Sequence, residues 1–426
     1  MSQNRKIAVV GLGYVGLPLA LAFAEKHEVV GYDINADRVA ALKQKQDGNN
    51  ELAEENFQNK DIEFSTELSD IASCNFYIIA VPTPVDVHKV PELQMLKAAT
   101  KAVGSVLKTG DYVIFESTVY PGCTEEVCVP LLIQESQLAY KKDFKVAYSP
   151  ERINPGDTKN TIDKIVKIVS ACDEEALAVV SRFYSDVITA GLHQASSMKV
   201  AEAAKIIENT QRDVNIAFMN EIAMIFDKLE INTHEVLAAA STKWNFMNFY
   251  PGLVGGHCIG IDPYYLTYKA KQVGYEPEVV LSGRRVNNNI APFIAQKIVK
   301  NLLQQNKKLS DCTTLVRGIT YKENVPDTRN SKVLDLIKEL KEYQIQVDVQ
   351  DPLVNKEQVS DSMGLDLIDQ PSGPYDVVVI AVSHKVMKMD SLQDYIPILK
   401  EGAIVFDVRS TFANSDIPES ITYLSL

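Results

Sequence analysis

Several features that define other classes of protein are absent from this sequence. Its six cysteines form no CxxC pair, and its six histidines form no HxH, HxxxH or mixed Cys/His cluster, so we expect no metal site. No apolar run approaches the roughly 20 residues that a membrane span needs. The polar residues 1–6 do not resemble a signal peptide. We therefore expect a cytoplasmic protein with reduced thiols and no membrane partner.

Charge and size narrow the choice of partners further. The net charge of −13 argues against a nucleic-acid partner, which requires a basic face. A few arginines and lysines in one cleft can still hold an anionic substrate. The 426 residues, with a hydrophobic content of 46%, predict about three ordinary globular domains.

The first forty residues carry a dinucleotide-binding pattern. An apolar run over residues 6–10 leads into Gly11-Leu12-Gly13-Tyr14-Val15-Gly16, and after a helical pattern a second apolar run, residues 29–32, ends at Asp33. The glycines let the backbone approach a pyrophosphate at a helix start, and Asp33 is placed to bind the adenosine ribose. This predicts a Rossmann unit that prefers NAD. Arg38 is close enough to leave NADP open as the alternative.

The rest of the chain predicts an α/β protein with a helical centre. Buried-strand patterns at 76–81, 112–116 and 145–148 alternate with helices, as in a doubly wound parallel sheet. From about Met198 one helical periodicity runs on to Asn232. We expect a helix of about thirty residues there, which suits a spacer between domains and a dimer seam.

The C-terminal third weakly repeats the first third. Residues 379–382 resemble 78–81, and residues 404–407 resemble 113–116. Gln350-Asp351 resembles Tyr32-Asp33, and the three matches occur in the same order. A second Rossmann-like domain is therefore expected. It lacks a GxGxxG, so its ligand should differ from a standard dinucleotide.

Together these patterns predict two Rossmann-like doubly wound domains joined by a central helical domain with one long helix. The expected domains are residues 1–197, which bind NAD, residues 198–300, which carry catalytic and dimer contacts, and residues 301–426.

Polar residues follow three of the predicted strands. They include Thr83 in 81–84, Thr118 in 116–122, and the pair Glu151 and Arg152 in the loop 149–156. The carboxyl ends of parallel strands face the ligand crevice, which favours a functional role. Structural turns, and an exposed Glu151–Arg152 ion pair, are the alternatives.

Lys205, Asn209 and Arg212 fall within about 60° of one another on the predicted long helix. Small or apolar residues flank this polar stripe, which indicates that it faces a cleft. A solvated helix face is the alternative.

The segment Gly255-Gly256-His257-Cys258-Ile259-Gly260-Ile261-Asp262-Pro263 is the most informative in the chain. Its glycines leave the backbone bare around Cys258, so the thiol should be approachable. A thiol beside a hydride acceptor can trap an aldehyde covalently, and the acceptor can then oxidise the trapped adduct. An inert buried cysteine is the alternative. We expect His257 to be a substrate or structural contact rather than a base, since neighbouring side chains usually point apart.

A loop that contains basic residues, 321–331, joins a predicted strand to a helix. Its Lys322 and Arg329 can meet phosphate oxygens.

These motifs, in this order, resemble the UDP-glucose/GDP-mannose dehydrogenase family over almost the whole chain. Ser-Pro-Glu-Arg-Ile-Asn-Pro-Gly at 149–156 and Gly-Gly-His-Cys-Ile-Gly-Ile-Asp-Pro at 255–263 are similar to the branch that acts on UDP-N-acetylhexosamines. Two segments depart from the family pattern: Arg317, where an apolar residue is usual, and Val408-Arg409-Ser410.

The resemblance implies a role for each matching residue. Cys258 is implied as the nucleophile, Lys205 and Asn209 as oxyanion stabilisers, and Asp262, Glu151 and Thr118 as residues that position or deliver water. The implied NAD contacts are Gly11, Gly13, Tyr14, Val15, Gly16, Asp33, Arg38, Thr83, Thr118 and Arg329. The implied substrate contacts are Glu151, Arg152, Ile153, Lys205, Asn209, Arg212, Phe249, Tyr250, Gly255 and Lys322. The resemblance also implies that the domain of residues 301–426 binds the UDP-sugar.

The function that we predict is oxidation of the C6 alcohol of UDP-N-acetyl-D-glucosamine, or of UDP-N-acetyl-D-galactosamine, to the uronic acid. It is an NAD-dependent, four-electron reaction through a thioester, serves a surface polysaccharide, and is carried out by a homodimer joined through the long helix. The alternatives are the same chemistry on UDP-N-acetylmannosamine or UDP-glucose, a two-electron hydroxyacid dehydrogenase, and an inactive protein that binds NAD or a nucleotide sugar.

Overall fold

The computed structural model describes residues 5–48, 52–58, 60–153, 161–387, 389, 391–413 and 415–426. The strands are β1 (Lys6–Val10), β2 (Glu28–Tyr32), β3 (Ile62–Ser65), β4 (Phe76–Ile79), β5 (Tyr112–Phe115), β6 (Lys145–Tyr148), β7 (Lys167–Ala171), β8 (Leu192–Gln194), β9 (Thr313–Arg317), β10 (Gln346–Gln350), β11 (Tyr375–Ile380), β12 (Leu399–Asp407) and β13 (Ile421–Ser425).

The α-helices are α1 (Gly16–Phe23), α2 (Ala36–Lys43), α3 (Leu68–Ile71), α4 (Gln94–Val106), α5 (Val129–Ser136), α6 (Glu174–Tyr184), α7 (Met198–Leu229), α8 (Thr233–Ala240), α9 (Asp262–Gln272), α10 (Glu278–Gln304), α11 (Lys332–Glu342) and α12 (Lys356–Met363). Short 3-10 or π-helical turns occur at Glu54–Phe57, Thr124–Cys128, Ile162–Lys164, Leu309–Asp311, Lys385–Met387 and Leu392–Ile398.

The N-terminal sheet has the Rossmann order. Its eight strands run β3-β2-β1-β4-β5-β6-β7-β8, and all neighbours are parallel except β6 and β7. Both faces of its central strands are buried, because consecutive residues such as Ile78 and Ile79 are both inaccessible. Burial on both faces explains why these strands read as continuous apolar runs.

The C-terminal sheet is smaller and entirely parallel, with the order β10-β9-β11-β12-β13. Alternate residues of its strands enter two different cores: Val377 and Val379 belong to one, and Val378 and Ile380 to the other. The sheet is therefore packed on both faces, as a Rossmann-like domain requires.

The sequence repeat corresponds to equivalent positions in the two sheets. The order β2-β1-β4-β5 in the first sheet matches β10-β9-β11-β12 in the second. Asp33 accepts a hydrogen bond from the backbone N–H of Leu12, and Asp351 accepts one from that of Ile319, each at 2.8 Å. The prediction of a second Rossmann-like domain is confirmed.

The long helix is confirmed as well. α7 has 32 residues, and the Asn232 side chain accepts hydrogen bonds from two backbone amides at the start of α8. Asn232 therefore acts as the cap of the next helix, which explains why the periodicity ends there.

The chain forms two compact units. One contains residues 1–208 and 264–276, and the other contains residues 209–263 and 277–426. Among the helices of the described residues, none combines the length and the apolar character needed to cross a membrane.

Candidate active site

The glycine turn between β1 and α1 has room for an anion. A Cβ at Gly13 would have no atom within 4 Å, whereas a Cβ at Gly16 would lie 1.8 Å from the carbonyl oxygen of Gly11. Within the described residues, no side chain caps the first amides of α1, which follow Val15. Uncapped helix amides attract phosphate oxygens, so the turn fits the pyrophosphate of a dinucleotide.

The acidic residue after β2 is held in place by its own turn. Asp33 accepts hydrogen bonds from the backbone amides of Leu12 at 2.8 Å and Asn35 at 2.9 Å. Arg38 donates to the carbonyl oxygen of Leu12 at 3.0 Å and to the carboxylate of Asp47 at 2.7 Å. Because the Asp47 carboxylate offsets the charge of Arg38, this arginine attracts a 2′-phosphate less strongly, which favours NAD over NADP.

The loops after β4 and β5 are tied together. The Thr83 hydroxyl donates to the carbonyl oxygen of Thr118 at 2.7 Å. The Tyr265 hydroxyl lies 2.9 Å from the carbonyl oxygen of Thr83 and 3.2 Å from that of Pro84. Thr83 and Thr118 therefore lie side by side at the carboxyl edge of the first sheet, where such sheets bind their ligands.

Glu151 belongs to a buried network of charges. One carboxylate oxygen accepts hydrogen bonds from the backbone amides of Arg152 at 2.6 Å and Ile153 at 2.7 Å, and the other lies 3.0 Å from the Lys167 ammonium. The same ammonium lies 2.6 Å from Glu116, which also accepts a hydrogen bond from the Tyr184 hydroxyl. Four ionisable side chains, those of Glu151, Lys167, Glu116 and Tyr184, thus share one buried cluster.

Burial and charge act differently on the two carboxylates of this network. Burial raises the pKa of Glu116 to about 7, although the charge of Lys167 partly offsets that effect. Burial also acts to raise the pKa of Glu151, but the charge and hydrogen bond of Lys167, together with two backbone amides, lower it below its usual value.

The alternative of an exposed ion pair between Glu151 and Arg152 is wrong. Arg152 instead pairs with Glu208 of α7 at 2.8 Å and donates to the carbonyl oxygen of Val166 at 2.7 Å. Residues 154–156 of the predicted loop lie outside the described residues.

Sequence reasoning missed the partners of Glu151. Lys167 opens the apolar run of β7, and a lysine at the start of a buried strand is a usable signal for a buried charge pair. Glu116 lies in the same segment as Thr118, where nothing in the sequence marks it as the partner of a distant charge, and Tyr184 shows no signal beyond its place in α6.

The polar stripe of α7 is largely buried. Lys205 is 8% exposed and Asn209 is 1% exposed, whereas Arg212 is exposed. The Asn209 amide nitrogen donates to Asp262 at 2.5 Å, and Arg212 donates to the Asn209 amide oxygen. A solvated face is thus wrong for Lys205 and Asn209, and the amide of Asn209 is fixed at both ends.

Cys258 lies in a tight turn before α9. Its carbonyl oxygen accepts hydrogen bonds from the amides of Ile261 at 3.0 Å and Asp262 at 2.9 Å. Gly256 has a φ of +83°, and a Cβ there would lie 2.7 Å from the Tyr321 ring. Cys258 is partly exposed, in contrast to four of the other five cysteines, and none of the six forms a disulfide. The alternative of a fully buried cysteine is therefore wrong.

The expected orientation of His257 is also wrong. Its Nδ1 lies 3.0 Å from the Cys258 sulfur, and its Nε2 lies 3.7 Å from the Asp327 carboxylate. Neighbouring side chains point apart in extended or helical backbone, but residues 256–260 form a turn, which lets these two side chains converge.

The loop after β9 that carries Lys322 and Arg329 is built around buried polar groups. The Arg329 guanidinium donates through two of its nitrogens to the Asp327 carboxylate, as does the Arg329 backbone amide, and the arginine side chain is about half exposed. The loop that carries Lys322 is held by His384, which accepts from the backbone amide of Asn324 at 2.9 Å and lies 3.1 Å from Asp351.

A second segment near the cysteine turn is anchored through its backbone. The Asn220 side chain accepts from the amide of Gly252 at 2.8 Å and donates to its carbonyl oxygen at 3.0 Å. This segment carries three predicted substrate contacts: Phe249, partly exposed, Tyr250, exposed, and Gly255, where a Cβ would lie 2.5 Å from the carbonyl oxygen of Asn330.

The two departures from the family pattern have different surroundings. Arg317 is buried and donates to Gln350, to the Tyr395 hydroxyl and to the carbonyl oxygen of Met387, at 3.0–3.2 Å. Arg409 is exposed and lies beside Gly252, where a Cβ would be 3.7 Å from its guanidinium. Arg317 therefore occupies a neutral hydrogen-bonding site, and Arg409 borders the predicted substrate segment.

No group of three or more potential metal ligands occurs in the described part of the chain.

Comparison with known proteins identifies the family. The chain matches all three domain models of the UDP-glucose/GDP-mannose dehydrogenase family. They are its NAD binding domain over residues 5–188, its central domain over 199–289 and its UDP binding domain over 315–414.

Curated relatives and a solved structure agree with that match. Protein CapL of Staphylococcus aureus is 54% identical and covers 97% of both chains. UDP-N-acetyl-D-glucosamine 6-dehydrogenase of Pseudomonas aeruginosa is 49% identical, covering 96% of this chain and 97% of that protein, and the Salmonella typhi enzyme of the same name is 46% identical, covering 95% and 96%. UDP-D-ManNAc dehydrogenase of Pyrococcus horikoshii superimposes with a TM-score of 0.87 at 29% identity, covering 99% of this chain and 98% of that one. The chain therefore belongs to the UDP-glucose/GDP-mannose dehydrogenase family and is an NAD-dependent nucleotide-sugar dehydrogenase.

Proposed function

We propose that this enzyme oxidises the C6 alcohol of UDP-N-acetyl-D-glucosamine, or of its galactosamine epimer, to the uronic acid. The sequence identity of 46–49% to two UDP-N-acetyl-D-glucosamine 6-dehydrogenases supports this choice of sugar. The observation that carries the four-electron chemistry is a partly exposed Cys258 thiol in contact with an imidazole. A thiol so placed can hold the aldehyde until its second oxidation.

The proposed sequence begins with loss of hydride from C6 and of the proton from its hydroxyl, which together give an aldehyde. Cys258 then attacks the aldehyde carbon to form a thiohemiacetal. A second oxidation gives a thioester, and water releases the uronate and the thiol. When bound, NAD accepts the hydride at each oxidation.

Lys205 and Asn209 stabilise the oxygen that gains negative charge in this proposal. The Asn209 amide is oriented by Asp262 and Arg212, so one N–H remains for an oxyanion. Removal of one such donor costs roughly 3–4 kcal/mol of transition-state stabilisation in related chemistry. Lys205 also moves protons in this proposal.

Water for the hydrolysis of the thioester is positioned by Glu151, Thr118 and Asp262. Glu151 accepts two amide hydrogen bonds and one from Lys167, which leaves one of its four lone pairs for a water molecule. A carboxylate so held orients the water without moving.

We assign the ligand contacts by domain. Residues 1–197 hold NAD through the turn at Gly11, Gly13, Tyr14, Val15 and Gly16 and through Asp33, Arg38, Thr83 and Thr118, with Arg329 as a further contact. Residues 198–300 and 301–426 bind the nucleotide sugar through Lys205, Asn209, Arg212, Phe249, Tyr250, Gly255 and Lys322. The first domain adds three further contacts with the sugar nucleotide, from Glu151, Arg152 and Ile153.

We also propose a homodimer joined through α7. Phe218, Ile225 and Leu229 on this helix are 44–59% exposed, and they recur at spacings of seven and four residues. Such spacing produces a continuous apolar stripe. Phe218→Glu should convert the dimer to a monomer in sedimentation equilibrium. An unchanged mass would contradict this interface.

We also propose that the enzyme acts in the cytoplasm, in the synthesis of a surface polysaccharide.

A coupled NADH assay across UDP-sugars tests the proposed function. The panel is UDP-N-acetylglucosamine, UDP-N-acetylgalactosamine, UDP-N-acetylmannosamine and UDP-glucose. We expect two NADH per sugar with one of the first two and no uronate from Cys258→Ser. Cys172→Ser, at the other partly exposed cysteine, is the matched control and should behave as wild type. One NADH per sugar, or turnover of UDP-glucose alone, refutes the proposal.

A further inference from the structure

We propose that His257 is the base that activates Cys258. Asp327 positions the His257 imidazole and stabilises the positive charge that it gains. The Nδ1 atom of His257 lies 3.0 Å from the Cys258 sulfur, within the range of a sulfur–nitrogen hydrogen bond. His257 therefore touches the reacting atom itself. The inference rests on the proposed role of Cys258 as nucleophile, and it adds the group that receives the thiol proton.

Asp327 supplies the opposite charge on the far side of the imidazole. Its carboxylate lies 3.7 Å from Nε2 of His257, an ion-pair distance, and it is nearly inaccessible. Burial acts to raise the pKa of Asp327, but the hydrogen bonds and charge of Arg329 outweigh it and hold that pKa below its ordinary value. A carboxylate kept ionised beside an imidazole favours the imidazolium form.

The surroundings of His257 restrict how the ring can turn. The edge of the ring meets Tyr321, with centroids 5.7 Å apart and an interplanar angle of 69°. Tyr321 in turn packs where a Cβ of Gly256 would stand. Among the described residues, the titratable and charged groups around the imidazole include Cys258, Tyr321 and Asp327, and Arg329 lies behind Asp327.

The proton and electron balance of the step is simple. The proton moves from the sulfur of Cys258 to Nδ1 of His257, and the electron pair stays on sulfur. The thiolate forms a C–S bond to the aldehyde carbon, and the C=O π pair moves to oxygen. That oxygen takes the proton back from the imidazolium, so His257 ends neutral and the adduct is a thiohemiacetal. No oxidant is needed.

Alkylation of the apoprotein tests this inference without nucleotide sugar or NAD. Iodoacetamide is added between pH 5 and 9, and peptide mass spectrometry follows the Cys258 peptide separately from that of Cys172. An ordinary thiol has a pKa near 8.5 and is roughly 0.3% ionised at pH 6. We expect Cys258 to react at pH 6 at least tenfold faster in wild type than in His257→Asn. The midpoint pH, at which the alkylation rate of Cys258 is half its maximum, should move up in this variant toward that of an ordinary thiol.

Two further variants make the result specific. Asp327→Asn should raise the midpoint without abolishing the effect, because the imidazole stays but loses its counter-charge. His193→Asn, at an exposed histidine in β8, is the matched control and should match wild type. Far-UV circular dichroism checks that each variant is folded.

The outcomes separate this inference from the proposed function. A wild-type midpoint near 8.5, or equal rates for wild type and His257→Asn, overturns the role of His257 and leaves the NADH count untouched. One NADH per sugar with an activated thiol overturns the four-electron reaction and leaves the thiol–imidazole pair in place.

Discussion

The ammonium of Lys167 should be the main support of the buried network around Glu151. It lies 2.6 Å from Glu116 and 3.0 Å from Glu151, and all three side chains are at least nine-tenths buried. Removing one partner of a buried ion pair typically costs about 3–5 kcal/mol, because the remaining charge is left without compensation. We expect Lys167→Met to lose stability in that range at pH 8.

The loss should depend on pH in a defined direction. Burial already raises the pKa of Glu116 to about 7 in the presence of Lys167. A carboxyl group with a raised folded-state pKa binds its proton more tightly when folded, so stability falls as pH rises from its unfolded pKa through the folded one. Without the lysine, both carboxylates should behave in this way. The variant should therefore be closer to wild type at pH 5 than at pH 8.

Differential scanning calorimetry at pH 5 and pH 8 measures this effect. A cost of 3–5 kcal/mol corresponds to a fall in Tm of roughly 10 °C for a unit of this size. Lys164→Met, at an exposed lysine just before β7, is the matched control and should leave Tm unchanged. Adding Glu116→Gln to Lys167→Met should restore part of the loss. A loss below about 1 kcal/mol at pH 8, or no restoration, refutes the reasoning.

Three further predictions follow from contacts within each unit. Asp33→Asn should raise the ratio of kcat/KM for NADP to that for NAD roughly tenfold, about 1.4 kcal/mol, since it removes the charge that repels a 2′-phosphate; no change in the ratio contradicts this. Asn220→Ala should lower the free energy of unfolding in urea by on the order of 3 kcal/mol and raise KM for the sugar, because the buried backbone of Gly252 loses both hydrogen-bond partners. An unchanged KM counts against the anchoring role. Arg284→Met should lower the free energy of unfolding, measured in urea, by about 3–5 kcal/mol, because the Asp213 carboxylate is left buried without its ion-pair partner. The stability that this variant loses should be smaller at low pH, since burial raises the pKa of Asp213 despite Arg284.

The fold was accessible from the sequence because the central strands are buried on both faces. Apolar runs therefore marked β1 and β6 with correct ends. The run predicted at 76–81 overshoots, since β4 ends at Ile79 while apolar residues continue. An apolar run indicates which residues are buried, and burial continues past the last residue that pairs with a neighbouring strand.

The site was accessible only where its residues cluster in local motifs. The turns that carry Asp33 and Cys258 are each one short segment, so their composition shows them. Lys167 lies sixteen residues from Glu151, and Asp327 lies seventy residues from His257. No local pattern connects such partners, because the fold brings them together.

Mass spectrometry of the enzyme during turnover tests the central claim most directly. Wild-type enzyme is mixed with UDP-N-acetylglucosamine and NAD, quenched in acid within milliseconds to seconds, and digested. We predict that the peptide containing Cys258 gains the mass of the sugar nucleotide acyl group, and that this adduct decays as uronate appears with two NADH per sugar. Uronate formed at that stoichiometry with no adduct on this peptide, and at the same rate in Cys258→Ala, would contradict the account.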